Sequence, residues 1–374
     1  MSLLPQGLVG CHHPRACILG IERADRRRVP HNPARGGDWV DMLHVITGAT
    51  GLLGSHLAEQ LRAEGQRVRA LVRPTSRTDF LDQIGVDKVQ GDLGDPEALR
   101  RAFDRADVVY HAAAKVGDWG TRQEFLRETQ QGTENVVTAC QAAGVGRLVH
   151  VSSTSAYGHP PADAPLIDEN WPLGTKFWVW DDYTRTKIAA ERAVWAASAA
   201  GLPVSVIRPS WLYGPRDRLS IARIDRSLRS RRVRLIGPGN NLMNTVYAGN
   251  VAEACRLAAL KDEAVGQAFN ITNDGQLTQR RYFELYAAAL GHPPPTKHYA
   301  FSVAWNGAFV MEAAYRLLGI RRPPFITRYA VWLLGRSTFY SSEKAQKVLG
   351  WRSRVGYEEG IPLTVAWYRA QQQP

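Results

Sequence analysis

The chain has 374 residues, of which 44% are hydrophobic and 22% charged, a composition typical of a globular protein with enough apolar material for a large core. Its formal net charge of +12 suggests a nucleic-acid partner. However, the arginines are spread along the chain, apart from a run between Arg216 and Arg234, and no aromatic and basic recognition module accompanies them. We therefore predict no nucleic-acid partner. We interpret the charge as a solvated basic surface, or as attraction for an anionic cofactor, substrate or membrane face.

Neither the cysteines nor the N-terminal segment indicates export. The four cysteines form no dense disulfide pattern and no CxxC pair, so we predict a cytoplasmic protein that binds no metal. Residues 1–41 lack the continuous apolar stretch of a secretory signal, and Glu22, Asp25 and Asp38 argue against a transit peptide. We interpret this segment as a disordered tail and Met42 as a candidate translation start.

From residue 43 onward, short β-branched runs alternate with amphipathic helical stretches, which predicts parallel strands joined by helical crossovers. Residues 42–210 are therefore predicted to form an α/β, Rossmann-type doubly wound parallel sheet that binds NAD(P). Residues 211–374, where the alternation loosens, are predicted to be mainly a smaller C-terminal substrate-binding lobe with helices, some segments of which return to the Rossmann core. The predicted strands are 43–47, 67–72, 88–92, 107–113, 148–153 and 204–208, and the predicted helices are 52–64, 96–105, 133–143 and 184–199.

The segment TGATGLLG, residues 47–54, lies between the first strand and the first helix. Its three glycines let the backbone approach a pyrophosphate, and the helix N-terminus offers free N–H groups and a positive dipole. The spacing is GxxGxxG rather than the commoner GxGxxG, yet its place after a strand predicts a dinucleotide site. The residues assigned to this part of the site are Gly48, Thr50, Gly51, Leu52, Leu53 and Gly54.

The end of the second strand selects the cofactor, because an acid there holds the ribose hydroxyls of NAD whereas an arginine suits the 2′-phosphate of NADP. The chain has Arg73 in LVRPTSR and no carboxylate before Asp79, which favours NADP and leaves NAD as the alternative. Asp92, followed by Leu93 in GDL, either accepts a hydrogen bond from the adenine amino group or caps a turn. The other predicted cofactor contacts are Ala112, Ala113 and Ala114, which leave room at the sheet edge, with Lys187 and Pro209.

Tyr183 and Lys187 occur in YTRTK, and their four-residue spacing places both side chains on one helix face. A phenol with a pKa of about 10 is a poor acid or base at neutral pH. A neighbouring ammonium and an oxidised nicotinamide favour the phenolate, so we expect the pKa of Tyr183 to be lowered toward the working range. The third predicted member of the catalytic set is a hydroxyl at the end of the preceding strand, in VHVSSTSAYG. We assign Ser153 to orient the substrate oxygen, with Thr154 as the alternative.

The motifs TGATGLLG, GDL, HAAA, VSSTSAYG, YTRTK and IRPSWLYGP occur in the order of the extended short-chain dehydrogenase/reductase superfamily, which residues 43 to about 355 resemble. The segments HAAAKVGDWG, TVYAGNVAEA and SSEKAQKVLGW are similar to its 3β-hydroxysteroid dehydrogenase-like branch. The resemblance implies a catalytic triad of Ser153, Tyr183 and Lys187, and hydride transfer at a secondary alcohol or ketone. The chain departs from the superfamily at Thr129, where an asparagine is usual, so the structural role of that asparagine is in question.

Two other functions stay open. The first is a nucleotide-sugar epimerase or dehydratase. These enzymes resemble one another in an RDF-type segment with an arginine, and the chain has Met243 at that place. No acidic residue directly follows Ser153 either, although sugar dehydratases resemble one another in having one there. Arg216 and its basic neighbours keep the nucleotide-sugar alternative open, because they offer phosphate contacts. The second alternative is a protein that binds a dinucleotide without turnover.

Large aromatic residues favour a lipophilic substrate of the 3β-hydroxysteroid or β-keto acyl type, although each also suits core packing. The apolar region 301–335 is interrupted by Asn306, Glu312 and Arg316 and is too short for a membrane span; we favour core packing and keep peripheral membrane contact as the alternative. The resemblance adds a homodimer through the helices near 100–125 and 184–199. The candidate substrate contacts are Lys115, Trp119, Thr154, Trp178, Trp211, Arg216 and Met243, and the aromatic cluster also includes Phe177 and Trp180.

Overall fold

The computed structural model describes residues 42–161, 164–272 and 275–372, so the predicted tail at 1–41 lies outside the described residues. The strands are β1 Leu43–Thr47, β2 Arg67–Val72, β3 Asp87–Gln90, β4 Val108–His111, β5 Arg147–Val151, β6 Val204–Pro209, β7 Trp211–Tyr213, β8 Leu235–Ile236, β9 Thr245–Tyr247, β10 Gln267–Ile271 and β11 His298–Tyr299. The α-helices are α1 Leu52–Ala63, α2 Asp79–Gln83, α3 Pro96–Phe103, α4 Arg122–Phe125, α5 Gly132–Ala143, α6 Asp182–Ala199, α7 Ser220–Arg229, α8 Ala248–Leu260, α9 Gln279–Leu290, α10 Phe301–Leu317, α11 Arg328–Gly335 and α12 Tyr357–Ala370.

Seven of the described strands form one parallel sheet in the order β10-β6-β5-β4-β1-β2-β3. The strand β1 pairs with β2 on one side and with β4 on the other, so the winding direction reverses between β1 and β4. This order confirms the predicted Rossmann-type doubly wound sheet, in which ligands bind outside the carboxyl ends of the strands at the reversal point. The strand β10, which follows residue 210 in the chain, pairs with β6.

The central strands are buried on both faces, and successive residues face opposite layers. Val45 packs with α3, α5 and α6, whereas Ile46 packs with α1 and α8. The same alternation separates Leu148 from Val149 in β5. Burial on both sides explains why these strands read as continuous apolar runs rather than as an alternation of apolar and polar residues.

A second group of helices packs around apolar cores separate from those of the seven-stranded sheet. The helices α7, α9 and α12 share an apolar core that includes Tyr282, Ile361 and Met243. The helix α10 packs against α11 through Ala308 and Val331. These elements are contributed by residues after 210, the part of the chain that we predict to bind substrate.

The sequence favoured core packing for region 301–335, but one face of the helix α10 is exposed. Among the residues of this helix only Ala308 and Glu312 are buried, while Val310 and Leu317 are 65% and 87% exposed. Core packing is therefore wrong for this face. Within the described ranges, no helix combines the length and the hydropathy needed to cross a membrane.

Candidate active site

The loop after β1 is packed too tightly for side chains. Gly48 has a φ of +76°, and a Cβ there would lie 2.7 Å from the backbone nitrogen of Ala113 after β4. A Cβ on Gly54 would overlap the carbonyl oxygen of Gly48. The helix α1 begins after Gly51 with neither a side-chain cap nor an acidic residue in its first turn, so its backbone N–H groups can receive an anion. This cradle, completed by Thr50, Leu52 and Leu53, fits the pyrophosphate of a dinucleotide.

The loops that follow β2 and β3 begin at the same edge of the sheet, where the carboxyl ends of these parallel strands lie. Arg73 directly follows β2, is exposed, and forms no ion pair with any described residue. Asp92 is also exposed, and its Oδ1 accepts a hydrogen bond from the backbone N–H of Gly94 at 2.7 Å, which is a turn-capping contact. Leu93 lies against Gly132, where a Cβ would be 2.7 Å from the Leu93 Cδ1. The remaining predicted cofactor contacts at this edge, Ala112, Ala114 and Pro209, follow β4 or end β6.

Thr129 takes a defined structural role at the position where an asparagine was expected. It is buried in a π-helical turn, Leu126–Gln131, that joins α4 to α5. Its Oγ1 accepts a hydrogen bond from the backbone N–H of Lys115 at 3.1 Å. Its carbonyl accepts one from the Thr133 hydroxyl at 2.7 Å. Thr129 therefore anchors the loop after β4 to the helix layer.

Ser153 lies just beyond the end of β5, because this strand stops at Val151 rather than at the predicted residue 153. Its Oγ accepts a hydrogen bond from the backbone N–H of Ser155 at 3.1 Å and so caps a 3₁₀ turn, Thr154–Tyr157. Thr154 is buried within that turn. Ser153 is half-buried, and its hydroxyl and that of Ser155 both lower the pKa of Tyr183.

Tyr183 and Lys187 lie in the first two turns of α6, whose N-cap Asp181 accepts a hydrogen bond from the backbone N–H of Thr184 at 3.2 Å. The Lys187 Nζ donates to the Val151 carbonyl at 2.9 Å. Burial lowers the pKa of Lys187 to about 8. Burial raises the pKa of Tyr183, whereas the Ser153 hydroxyl opposes that shift. The lowered phenol pKa that we expected is therefore not a property of the protein alone.

The sequence analysis missed Glu191, which lies one helical turn after Lys187. Its carboxylate has no exposed surface and accepts hydrogen bonds from the Ser152 Oγ at 2.5 Å and the Trp195 Nε1 at 3.0 Å. It also forms a buried ion pair with Arg208 of β6. The Glu191 charge raises the pKa of Lys187 and so opposes the effect of burial. The only signal in the sequence was its four-residue spacing from Lys187.

Near the candidate substrate contact Lys115, aromatic side chains lie against Tyr183. Its ring contacts those of Phe125 and Tyr329, with centroids 6.4 and 5.7 Å apart. The ammonium of Lys115 lies over the Phe125 ring, 5.5 Å from its centroid, and 3.4 Å from a carboxylate oxygen of Glu124. Other aromatic contacts in this region are Trp119 with Tyr315 at 6.2 Å, Trp180 with Phe309 at 6.0 Å, and Phe177 with Arg185 at 4.8 Å.

A cavity of about 260 Å³, here called the aromatic cavity, adjoins this region. Its wall includes Trp178, which stacks on His159 with ring centroids 3.3 Å apart. The His159 Nε2 hydrogen-bonds to the Asp181 carboxylate at 2.5 Å. The sequence analysis did not single out His159. The aromatic wall is completed by Phe301, Trp305 and Trp332.

Of the assigned substrate contacts Trp178 lines this cavity, whereas Met243, Trp211 and Arg216 pack elsewhere in the protein. Met243 is 1% exposed in the core beneath α9, so its assignment to a substrate surface is not supported. Trp211 packs on Tyr282, with centroids 5.7 Å apart. Arg216 donates to the Ser55 Oγ at 2.9 Å and forms an ion pair with Glu59 of α1. Its guanidinium is thus already bound within the protein.

Comparisons with known proteins agree with this geometry. Residues 44–272 match the model of the NAD dependent epimerase/dehydratase family. The chain is 35% identical over 323 residues to the 2-alkyl-3-oxoalkanoate reductase of Stenotrophomonas maltophilia, a match that covers 85% of this chain and 96% of the relative. It is 31% identical over 333 residues to the decarboxylating sterol-4-alpha-carboxylate 3-dehydrogenase of Mus musculus, covering 86% of this chain and 89% of the relative.

Among solved structures, MoeE5 in complex with UDP-glucose and NAD is similar, with a TM-score of 0.68 and 27% identity over 88% of this chain and 99% of that one. The reductase and dehydrogenase names confirm the predicted branch and an enzyme that acts on hydroxyl or keto groups. The family name and the NAD of the similar structure support a nicotinamide dinucleotide as cofactor. The chain belongs to the NAD-dependent epimerase/dehydratase family, within the extended short-chain dehydrogenase/reductase superfamily.

Proposed function

We propose that this enzyme interconverts a ketone and a secondary alcohol on a lipophilic substrate, with Ser153, Tyr183 and Lys187 as catalytic residues. The observation that carries the proposal is their arrangement. Tyr183 and Lys187 share the first turns of α6, and Ser153, just beyond the end of β5, is one of two serines, with Ser155, whose hydroxyls lower the pKa of the phenol. The cofactor cradle after β1 and the aromatic cavity both adjoin this part of the structure.

When bound, the nicotinamide supplies the hydride for reduction or accepts it for oxidation. Ser153 orients the substrate oxygen. Tyr183 gives its proton to a carbonyl oxygen in reduction, or removes a proton from an alcohol in oxidation. Lys187 favours the phenolate by its charge, and its hydrogen bond to Val151 fixes the ammonium at the end of β5. Because burial raises the pKa of Tyr183, the protein alone supports the proton-donating form that reduction requires.

Substrates of the β-keto acyl or 3β-hydroxysteroid type agree best with the site. The reductase relative is named for an oxo group at position 3 of an alkanoate, and the dehydrogenase relative for position 3 of a sterol carboxylate. The aromatic cavity offers apolar surface to such molecules. A nucleotide sugar, as bound by MoeE5, is the alternative. It is disfavoured because Met243 replaces the expected arginine and Glu59 binds Arg216.

We propose NADP as the preferred cofactor. Arg73 is the residue directly after β2, where the adenosine ribose is recognised in this fold. Its side chain is exposed and makes no ion pair within the described residues, so it is available to a 2′-phosphate. Asp79, the nearest carboxylate that follows, lies six residues further and begins α2.

We also propose that the outward face of α10 contacts an anionic membrane surface. Val303, Val310 and Leu317 recur every seven residues, so they lie along one line of the helix, and they are 60%, 65% and 87% exposed. Arg321 and Arg322 follow the helix and are exposed. An apolar face with adjacent arginines is typical of a helix that lies in the interface of an anionic bilayer.

We expect Tyr183→Phe to lower ketone reduction by about 10²–10⁴-fold while NADPH still binds, because only the proton transfer is lost. The measurement is loss of NADPH absorbance with a panel of steroid and β-keto acyl ketones beside a panel of nucleotide sugars. Tyr299→Phe, at an exposed tyrosine, is the control and should behave as wild type. Turnover of nucleotide sugars alone would favour an epimerase, and binding of dinucleotide without turnover in either panel would favour a non-catalytic protein.

We expect the reductase rate to fall as the pH rises through about 8, where the buried Lys187 loses its proton. Glu191→Gln removes a charge that raises this pKa, so the midpoint of the kcat/KM profile should move to lower pH. Ser152→Ala removes a hydrogen bond to Glu191 but no charge, so its midpoint should stay in place. An unchanged midpoint in a Glu191→Gln variant that still folds and binds NADPH would contradict the coupling.

Arg73→Ser should weaken NADPH binding by about ten-fold or more, since a hydrogen bond to a charged group contributes about 1.5–3 kcal/mol. NADH binding should change little, because NADH lacks the 2′-phosphate. Both affinities are measurable by fluorescence titration. Arg100→Ser, at an exposed arginine paired with Glu97 on α3, is the matched control. Equal losses for both cofactors would reject this role for Arg73.

The protein should sediment with vesicles rich in phosphatidylglycerol and much less with phosphatidylcholine vesicles. Val310→Asp combined with Leu317→Asp should abolish sedimentation, whereas Leu363→Asp, at an exposed position of α12, should not. Sedimentation that survives the double variant would reject this membrane face.

Light scattering without vesicles checks the predicted homodimer. A dimer that the double variant dissociates would assign the outward face of α10 to a second copy of the chain instead of a membrane.

A further inference from the structure

The aromatic cavity carries a charge pattern that the proposed reaction does not use. Two cationic side chains, Lys176 and Arg336, line it together with the rings of Trp178, Trp305 and Trp332. None of the described residues in the lining carries a carboxylate. Within the described residues neither cation forms a salt bridge, and the Arg336 guanidinium lies over the Phe301 ring, 4.0 Å from its centroid. A mainly aromatic cavity, partly open to solvent, with two cations that form no salt bridge among the described residues, is complementary to a lipophilic anion.

The buried part of the wall also has an unused polar atom. His159 is 3% exposed, and its Nε2 is held by Asp181. Its Nδ1 is buried without a hydrogen-bond partner among the described residues. A buried polar atom of this kind is costly unless a ligand or a water molecule satisfies it. Because this atom has no exposed surface, the surface that the cavity offers to a ligand consists mainly of the aromatic rings and the two cationic side chains.

The volume limits what can enter. At about 260 Å³ the cavity is just below the range of about 300–1,000 Å³ that is usual for small-molecule pockets. It suits one chain or ring segment rather than a whole large lipid. Its position connects it to the catalytic residues, because the Tyr329 ring lies 6.1 Å from that of His159 and 5.7 Å from that of Tyr183.

We propose that the aromatic cavity is a binding site for a lipophilic carboxylate, with Lys176 and Arg336 binding the carboxylate and the aromatic wall binding the apolar segment. The inference rests on the proposed function in one respect, since the carboxylate belongs either to the ketone substrate or to a separate fatty acid. In both cases the charge selects acids over neutral lipids of the same length.

The first test measures direct binding by tryptophan fluorescence and by calorimetry. The probes are decanoate, decanol and decyltrimethylammonium. Decanoate should bind about ten-fold or more tightly than decanol, as a charge-assisted contact predicts. Arg336→Gln and Lys176→Gln should remove this preference, whereas Arg336→Lys keeps the charge and should retain it. Arg100→Gln, at an exposed arginine of α3 away from the cavity wall, is the control. Equal binding of decanoate and decanol, or a preference that survives both charge-removing variants, would overturn the proposal.

The second test identifies the source of the carboxylate with a keto acid and its methyl ester as substrates. If the bound carboxylate belongs to the substrate, kcat/KM is higher for the keto acid than for its methyl ester. The Arg336→Gln variant should lose this difference. A separate fatty acid gives equal kcat/KM values while decanoate still binds the wild-type protein. Binding of decanoate is independent of turnover. A failure of the reductase function, seen as no turnover of any lipophilic ketone, is thus distinct from a failure of the cavity proposal.

Discussion

The charge of Glu191 connects the sheet to the catalytic helix. This carboxylate is fully buried between β5, α6 and β6, where it receives the Ser152 hydroxyl and the Arg208 guanidinium. Removing one partner of a buried ion pair typically costs about 3–5 kcal/mol, because the other charge is left uncompensated. Arg208 also donates to the Tyr157 hydroxyl at 2.8 Å, so the network reaches the turn that Ser153 caps. The same charge that compensates Arg208 supports the protonated form of Lys187, and stability and catalysis therefore depend on one group.

The sequence predicted those features that are local in the chain. The glycine loop, the strand and helix alternation, and the spacing of Tyr183 and Lys187 each occupy a few residues and follow from backbone geometry, so they could be read without tertiary information. Thr129 shows the limit of such prediction from local sequence. The departure from asparagine was visible, but its consequence depends on a hydrogen bond to Lys115, which the π-helical turn makes accessible.

The features that the sequence did not predict depend on contacts between distant residues. Arg216 looked like a phosphate contact because it begins a basic run in the chain, yet its partner Glu59 is 157 positions away. Met243 was assigned to a surface by its alignment with a motif, and only the packing of α9 shows that it is buried. The helix α10 is apolar nearly all round, so periodicity alone could not show which side faces Ala308 and Val331 and which side faces outward.

The aromatic wall and the catalytic residues are separate groups with two physical connections between them. Trp178, Trp305 and Trp332 come from three separate segments and contact one another. One connection is Tyr329, whose ring contacts those of Trp332 and Tyr183. The other is His159, which stacks on Trp178 and hydrogen-bonds to Asp181. Asp181 in turn caps α6 two residues before Tyr183. The wall of the cavity and the first turn of α6 therefore share one chain of contacts, from Trp178 through His159 to Asp181.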